Sequence, residues 1–244
     1  MTRSLLMFVT LGIVGCSHAP PKHVEVVREP EPPPPPPAKH DDSDGIQVSG
    51  MLGTLSDEEV SGPFQRRWDD ITQCYQVAKD KLWYLGGKVE LKVRVAKGGE
   101  PKAVYVSSST VGNYETERCI LGVARDLHFS KPHGGPEAEF TYPIEFRGKS
   151  AVQTWEEGRV APHLKKPRAR KDVSDCRKQA TGGLPSALMM TVYVAPGGKI
   201  TSAGLSADAP LDEGLATCLV GKTKLWKLED PLGKIAKCTV GVVE

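Results

Sequence analysis

Sliding the chain against itself by ninety-nine positions brings Val93, Val95, Ala96, Gly98, Gly99, Ser107, Cys119 and Gly122 onto Val192, Val194, Ala195, Gly197, Gly198, Ser206, Cys218 and Gly221 without a gap. The similar pairs Leu91 with Met190, Val104 with Ala203 and Val106 with Leu205 fall in the same register. Self-similarity at a fixed period marks one structural unit used twice. The 244 residues are therefore expected to hold two small domains rather than one large one.

Each copy reads as α+β. In the first, Trp68, Ile71, Tyr75, Ala78 and Leu82 recur at helical spacing, which predicts a helix from Phe64 to about Leu85 with Cys74 inside it. The period then changes: Val89, Leu91, Val93 and Val95 alternate with Glu90, Lys92 and Arg94, as in a strand with one wet face. Gly98-Gly99 supplies a hairpin turn into a second strand, Ala103 to Val106. Asn113 is placed to cap a second helix through Cys119, Ile120, Val123, Ala124 and Leu127, and a strand from Ala138 to Phe146 closes the unit. The second copy repeats the αββαβ order, with a helix around Val173 to Ala180, strands Leu188 to Ala195 and Ile200 to Leu205, a helix from Leu211 started by Asp212 or Pro210, and a final strand Lys234 to Val243. Trp226 is expected to stand where Phe129 stands in the first copy. The domains are drawn at 54–148 and 172–244. A basic stretch between them, 149–171, holds His163, Lys165, Lys166, Arg168, Arg170 and Lys171 and is read as a solvated linker, with a cationic patch for lipid headgroups or acidic wall polymer as the functional alternative.

Upstream of the repeat the chain opens as an export signal. Arg3 forms a positive start, Leu5 to Val14 an apolar run, and Ile13-Val14-Gly15-Cys16 resembles a bacterial lipobox. That run is well short of the ~20 residues a bilayer span requires. Residues 1–15 are thus expected to be a signal peptide, with Cys16 the lipidated first residue of the mature chain. Ser17 rather than Asp follows it, which points to the outer membrane, facing the periplasm. Residues 16–53 lack apolar periodicity and contain an unbroken run Pro32 to Pro37, so they are expected to be a disordered Pro-rich stalk. Six prolines in polyproline II make a stiff rod of roughly 20 Å.

Setting Cys16 aside, each copy has one cysteine on its first helix and one on its second, so the repeat proposes the disulfides Cys74 with Cys119 and Cys176 with Cys218. An exported protein meets an oxidising compartment, and no Cys-x-x-Cys is present to suggest metal or redox chemistry. Cys238 is left over on the last strand, where burial as a small hydrophobe is expected.

The charge excludes little but points away from nucleic acid: Lys+Arg 32 against Asp+Glu 30 gives a net charge of +2. Asp41, Asp42 and Asp44 lack the glycine and distal glutamate of a calcium loop. The six histidines are scattered, and His128 and His133 lack the neighbours a metal needs. Glu115 and Glu117 sit at a helix start, where the dipole favours carboxylates. No nucleophile–base or phosphate-loop arrangement appears, so no catalytic residue, metal or cofactor is assigned and the chain is not expected to be an enzyme.

Cys74-Tyr75, Gly87-Lys88-Val89, the Gly98-Gly99 turn, Ser107 to Thr110, Cys119-Ile120 and Tyr142-Pro143-Ile144-Glu145-Phe146 together resemble the AgmX/PglI C-terminal domain, a TonB-like module of envelope proteins of gliding myxobacteria and their relatives. The first copy carries the likeness over almost its whole length; the second lacks the Tyr-Pro-x-x-Phe ending. In TonB the last strand offers its open edge to a peptide of a partner barrel. The resemblance thus implies a partner-binding edge at Thr141, Tyr142, Ile144 and Phe146, paired by main-chain bonds. Pro143 interrupts that edge, since proline donates no ladder bond. The cleaved leader replaces the transmembrane helix by which TonB proteins couple to a motor, which argues against energy transduction. The expected function is that of an adaptor or scaffold lipoprotein in an envelope assembly serving motility or transport. The alternative is a structural lipoprotein that binds peptidoglycan through its basic linker.

Overall fold

The computed structural model describes residues 52–149 and 152–242. The signal peptide, Cys16 and the stalk as far as residue 51 lie outside the described residues. The described chain is mixed α+β, with six helices and two sheets. In order it forms α1 (Asp57–Arg66), α2 (Trp68–Lys79), β1 (Gly87–Val95), β2 (Pro101–Ser109), α3 (Tyr114–Arg125), β3 (Ala138–Phe146), β4 (Gln153–Thr154), α4 (Ala161–Leu164), α5 (Pro167–Arg177), β5 (Leu188–Ala195), β6 (Lys199–Ala207), α6 (Glu213–Thr223) and β7 (Ala236–Gly241).

Both halves use one topology. The first sheet has the order β2-β1-β3 and the second β4-β7-β5-β6, so β6-β5-β7 reproduces β2-β1-β3. Val95 pairs with Ala138 and Val93 with Phe140, while Val194 pairs with Ala236 and Val192 with Cys238. The hairpin turns serve the same end in both halves. Gly99 (φ 101°) and Gly198 (φ 75°) adopt a backbone conformation that L side chains avoid, and a β-carbon at either would run into the carbonyl of Phe129 or Leu228. Those residues donate their N–H to Gly99 O and Gly198 O at 2.8 and 2.9 Å. The counterpart of Phe129 is therefore Leu228, and not Trp226 as the apolar pattern suggested.

Helix boundaries follow local chemistry. Ser56 and Glu59 form a capping box that starts α1, Asn113 caps α3 through Thr116 N–H, and Asp212 caps α6 through Leu215 N–H. The helix expected from Phe64 to Leu85 is instead two, because Arg67 (φ −111°, ψ 20°) interrupts it between α1 and α2. The supposed solvated linker is also corrected. Residues 153–171 carry β4, a short 3-10 turn at Glu157–Arg159, α4 and the start of α5. Trp155, Val160, Leu164 and Ala169 are buried in the second core, so the basic residues only decorate the outer side of an apolar framework.

Disulfides join Cys74 to Cys119 and Cys176 to Cys218, tying α2 to α3 and α5 to α6. Their sequence separations of 45 and 42 residues correspond to about 4 kcal/mol each in the chain-entropy account. Cys238 is a free thiol, 1% exposed.

The two halves lie in one compact unit and are in direct contact. On β1 the outer face holds Lys92 and Arg94; at the repeat-equivalent positions of β5 stand Thr191 and Tyr193, which turn to the first half. Tyr193 is fully buried, and its hydroxyl donates to Gly86 O (2.8 Å) while accepting from Gly86 N–H (3.2 Å). Thr191 donates to Ser109 O (2.7 Å), Ser202 to Gly112 O (2.7 Å) and Lys237 to both Gly86 O and Thr110 O (3.1 Å each). At the centre, Gly204 of β6 leaves room for α3: a β-carbon there would overlap the Glu117 carboxylate and sit 2.7 Å from Asn113 N. Replacing Gly204 with Ala should therefore cost about 3 kcal/mol of stability, whereas Gly221→Ala, on an open helical surface, should be neutral or stabilising by under about 1 kcal/mol. Urea unfolding midpoints of the two variants measure the difference.

Candidate functional site

The edge proposed from sequence is β3, which forms one margin of the first sheet. Its side chains divide between two faces. Tyr142 stacks on Phe64 of α1 with ring centroids 3.8 Å apart, Phe146 stacks on Tyr75 of α2 at 4.4 Å, and Ile144 is 1% exposed. Of the four named residues only Thr141 points outward; the other three hold the strand to its own helices. What β3 presents to a partner is its backbone. Gly53 N–H donates to Glu137 O (2.6 Å) on the side away from β1, and Gly53 runs parallel to Ala138. Because alternate residues of a strand aim their backbone groups to the same side, Glu139, Thr141, Pro143 and Glu145 direct theirs to this margin. Pro143 thus loses no bond to β1, and it removes the middle donor from the open side.

The counterpart margin, on β7, is occupied. Gln153 runs parallel to Ala236 just as Gly53 does to Ala138. Gln153 N–H donates to Ile235 O (3.0 Å), Trp155 N–H to Lys237 O (2.8 Å), and the Glu157 carboxylate accepts Gly241 N–H (3.2 Å). Trp155 is 4% exposed and anchors this segment in the second core. Gly241 holds the place that Pro143 holds in β3, so one half neutralises that donor with a carboxylate and the other lacks it. Beyond Ala138, no described segment bonds to the backbone of Thr141, Pro143 or Glu145 on the open side.

A second constellation was not found from sequence. A cleft at the seam of the halves is lined by Tyr105, Tyr114 and Leu121 on one side and Leu205, Leu211 and Ala216 on the other. Arg118 and Glu213 form an ion pair across it (2.6 Å). Its floor is Glu117, 1% exposed, whose carboxylate accepts from the Ser109 hydroxyl (2.6 Å) and from Leu205 N–H of the other half (3.0 Å). Burial pushes its pKa up to about 7, against the pull of those hydrogen bonds. Both Glu115 and Glu117 stand in the first turn of α3 as expected, but only Glu115 is exposed, 3.7 Å from Lys224, whereas Glu117 is buried at the seam. One signal was available: the repeat sets Glu117 opposite Ala216, a charge where the other copy has a methyl group.

His133 lies 2.9 Å from Glu59, whose carboxylate is held down to about 2 by the Ser56 backbone N–H and by His133. Among the described residues no group of three or more His, Cys, Asp or Glu is arranged to hold a metal ion, and no helix is long and apolar enough to cross a membrane. No family model matches the chain, and neither a curated protein nor a solved structure shows significant similarity to it.

The seam carboxyl sets a pH dependence. Its folded pKa of about 7 lies above the ordinary 4.5, so the folded state binds the proton more tightly than the unfolded chain. The resulting stability is complete below pH ~4.5 and is lost as pH rises through about 7, up to about 3 kcal/mol by pH 8. Glu117→Gln, which imitates the neutral acid, should abolish this slope and be more stable than the native chain at pH 8. Denaturant titrations of both proteins at pH 5, 6.5 and 8 give the comparison.

Proposed function

We propose that the chain is a non-catalytic lipoprotein adaptor, lipidated at Cys16 and facing the periplasm from the outer membrane, whose TonB-like first half receives an extended segment of an envelope protein along β3. The observation that carries this reading is internal: β7, the same strand in the second copy, already takes an added segment, Gln153 to Trp155, in parallel. An edge of this construction accommodates a strand, and β3 presents the open version. Strand addition supplies affinity through main-chain bonds. Here the donors are Thr141 and Glu145 N–H and the acceptors the carbonyls of Thr141, Pro143 and Glu145. Pro143 selects against an indiscriminate partner, because a register that demands a donor at the centre of the edge goes unsatisfied. The AgmX/PglI resemblance of the first copy supports the same reading, and the stalk would hold the module away from the lipid.

A second reading, wall binding by the basic surface, has one observation in its favour: Lys165, Lys166, Arg168 and Arg170 are all exposed.

The test is photocrosslinking in the native host from position 141 or 145, whose side chains face outward, with position 232 as an exposed control. Capture of one defined envelope protein from 141 and 145 and not from 232 is expected, and Thr141→Pro should reduce that capture ten-fold or more, the effect of losing about 1.4 kcal/mol of backbone pairing. Indiscriminate capture, or retention on purified wall sacculi that disappears when the four basic residues become Ala, would transfer the function to the basic surface.

A further inference from the structure

The two disulfides occupy equivalent places, yet their surroundings differ in three respects. The first is cover. Four residues before the α5 cysteine, Asp172 reaches α6, with its carboxylate 3.6 Å from Lys222 Nζ and accepting from Trp226 Nε1 at 3.0 Å. These bonds close the second helix pair over Cys176–Cys218. In the first half the same position is Asp70, which is spent on Arg67 one turn away, and the place of Lys222 is taken by Val123. No ion pair ties α2 to α3 across the first bridge among the described residues, and a groove of about 350 Å³ lies there, with Cys74 and Cys119 in its wall beside Val77 and Val123.

The second difference is exposure. Both cysteines stand in the groove wall, but Cys119 is an exposed residue while Cys74 is only 6% exposed, so Cys119 is the one that attack from solvent meets first. In the other pair Cys176 is completely buried, and Cys218, only partly exposed, packs against the second core.

The third is a donor. Thr116, one turn before Cys119 on α3 and 1% exposed, lines the groove, and its hydroxyl oxygen has no hydrogen-bond partner. A buried hydroxyl without a partner calls for an explanation. Three residues before Cys218 the other half has Leu215, an ordinary core residue.

We infer that Cys74–Cys119 is a thiol-exchange site, open to the dithiol of a Cys-x-x-Cys oxidoreductase, whereas Cys176–Cys218 is a closed structural bridge. A thiolate of the oxidoreductase attacks Cys119 Sγ, the Cys74–Cys119 bond breaks, and its electron pair passes to Cys74 Sγ, where Thr116 is the available donor until the sulfur takes a proton. The second thiol of the oxidoreductase then attacks its own sulfur in the mixed disulfide. Cys119 is released as a thiol, and the reductant, having given two electrons, carries the new disulfide. Tyr75, next to Cys74, stacks on Phe146, and its one hydroxyl proton lies between two carbonyl acceptors, Leu85 O (2.6 Å) and Arg147 O (3.0 Å), so the freed segment of α2 is the one that packs on the end of β3.

The experiment uses the oxidised, folded full-length protein with thioredoxin and its reducing system at neutral pH, followed by acid quench, alkylation and peptide mass spectrometry. Cys74 and Cys119 should become alkylated at least ten-fold faster than Cys176 and Cys218, and reduced glutathione should give an adduct on Cys119 rather than Cys74. Thr116→Val should slow reduction of the first bridge several-fold and leave the second unchanged. Equal rates at the two bridges, which opening of the whole unit would produce, or an adduct on Cys74, would overturn the assignment. The native protein alone decides this even if the variant fails to fold.

Discussion

A sheet buried on one face needs one layer of cover, but the second sheet of this protein has an outer face that is itself too apolar and too short of charge to meet water. Thr191, Tyr193 and Ser202 lie where a solvated strand would carry lysines and arginines, and all three are buried. The first half supplies the cover, and the fit is made of hydrogen bonds to its backbone at Gly86, Ser109 and Gly112. Backbone acceptors are fixed by the fold rather than by rotamers. The orientation of the halves is therefore specified by the turn after α2 and by the chain between β2 and α3. Tyr193 carries most of this: a buried aromatic ring supplies apolar area and its hydroxyl satisfies both the N–H and the carbonyl of Gly86. The ammonium of Lys237, 5.6 Å from the centroid of the same ring, also donates to Gly86 O and adds one further backbone acceptor, Thr110 O.

Much of each half was legible because its periodicities answer to a single local cause. The alternation of Val89, Leu91, Val93 and Val95 reads correctly since one face of the first sheet meets α2 and α3 and the other meets solvent, where Lys92 and Arg94 pair with Glu139. The cysteine pairings were legible because the repeat fixes which helices are neighbours. The misses share a different cause, the tertiary seam. Glu117 looks like any helix-start carboxylate until β6 lies over it. Residues 153–171 look like a linker since they carry six interspersed lysines and arginines, yet Trp155, Val160, Leu164 and Ala169 are the residues that decide its fate. The break at Arg67 was hidden by the continuous helical spacing of Trp68, Ile71 and Tyr75, although Ser56 and Glu59 announced an earlier start.

Duplication gave two sheets with the same margin, and the halves deal with it differently. An unpaired edge invites uncontrolled association, and natural sheets cover or blunt it. The second half covers β7 with the chain that enters it, anchors that chain with Trp155 and finishes with Glu157 on Gly241. The first half has the same entering contact at Gly53, but its chain then turns away into α1, because the Ser56 capping box starts a helix where the other half continues past its strand. A longer β3 is left, with Pro143 in place of Gly241. Covering and blunting are different strategies with different uses. A covered edge is finished; a blunted one still has donors at either end of the gap.

The same division extends to the helix side. In the second half Asp172 joins α5 to α6, Leu215 and Ala216 fill the space beneath, and the disulfide is one of several ties between those helices. In the first half the corresponding positions hold Asp70, Thr116 and Glu117, none of which joins α2 to α3, so the Cys74–Cys119 bond is the principal covalent or polar tie across that groove. Glu117 instead serves the seam, where its buried carboxyl is stable only with its hydrogen bonds intact. Polar residues placed in this way cost stability within the first half, and the second half, apolar at the same positions, provides the rigid platform against which they are held. One copy became the scaffold, and its divergence from the other is what allowed the first to keep an open edge, an open groove and a titratable group in a single small α+β unit.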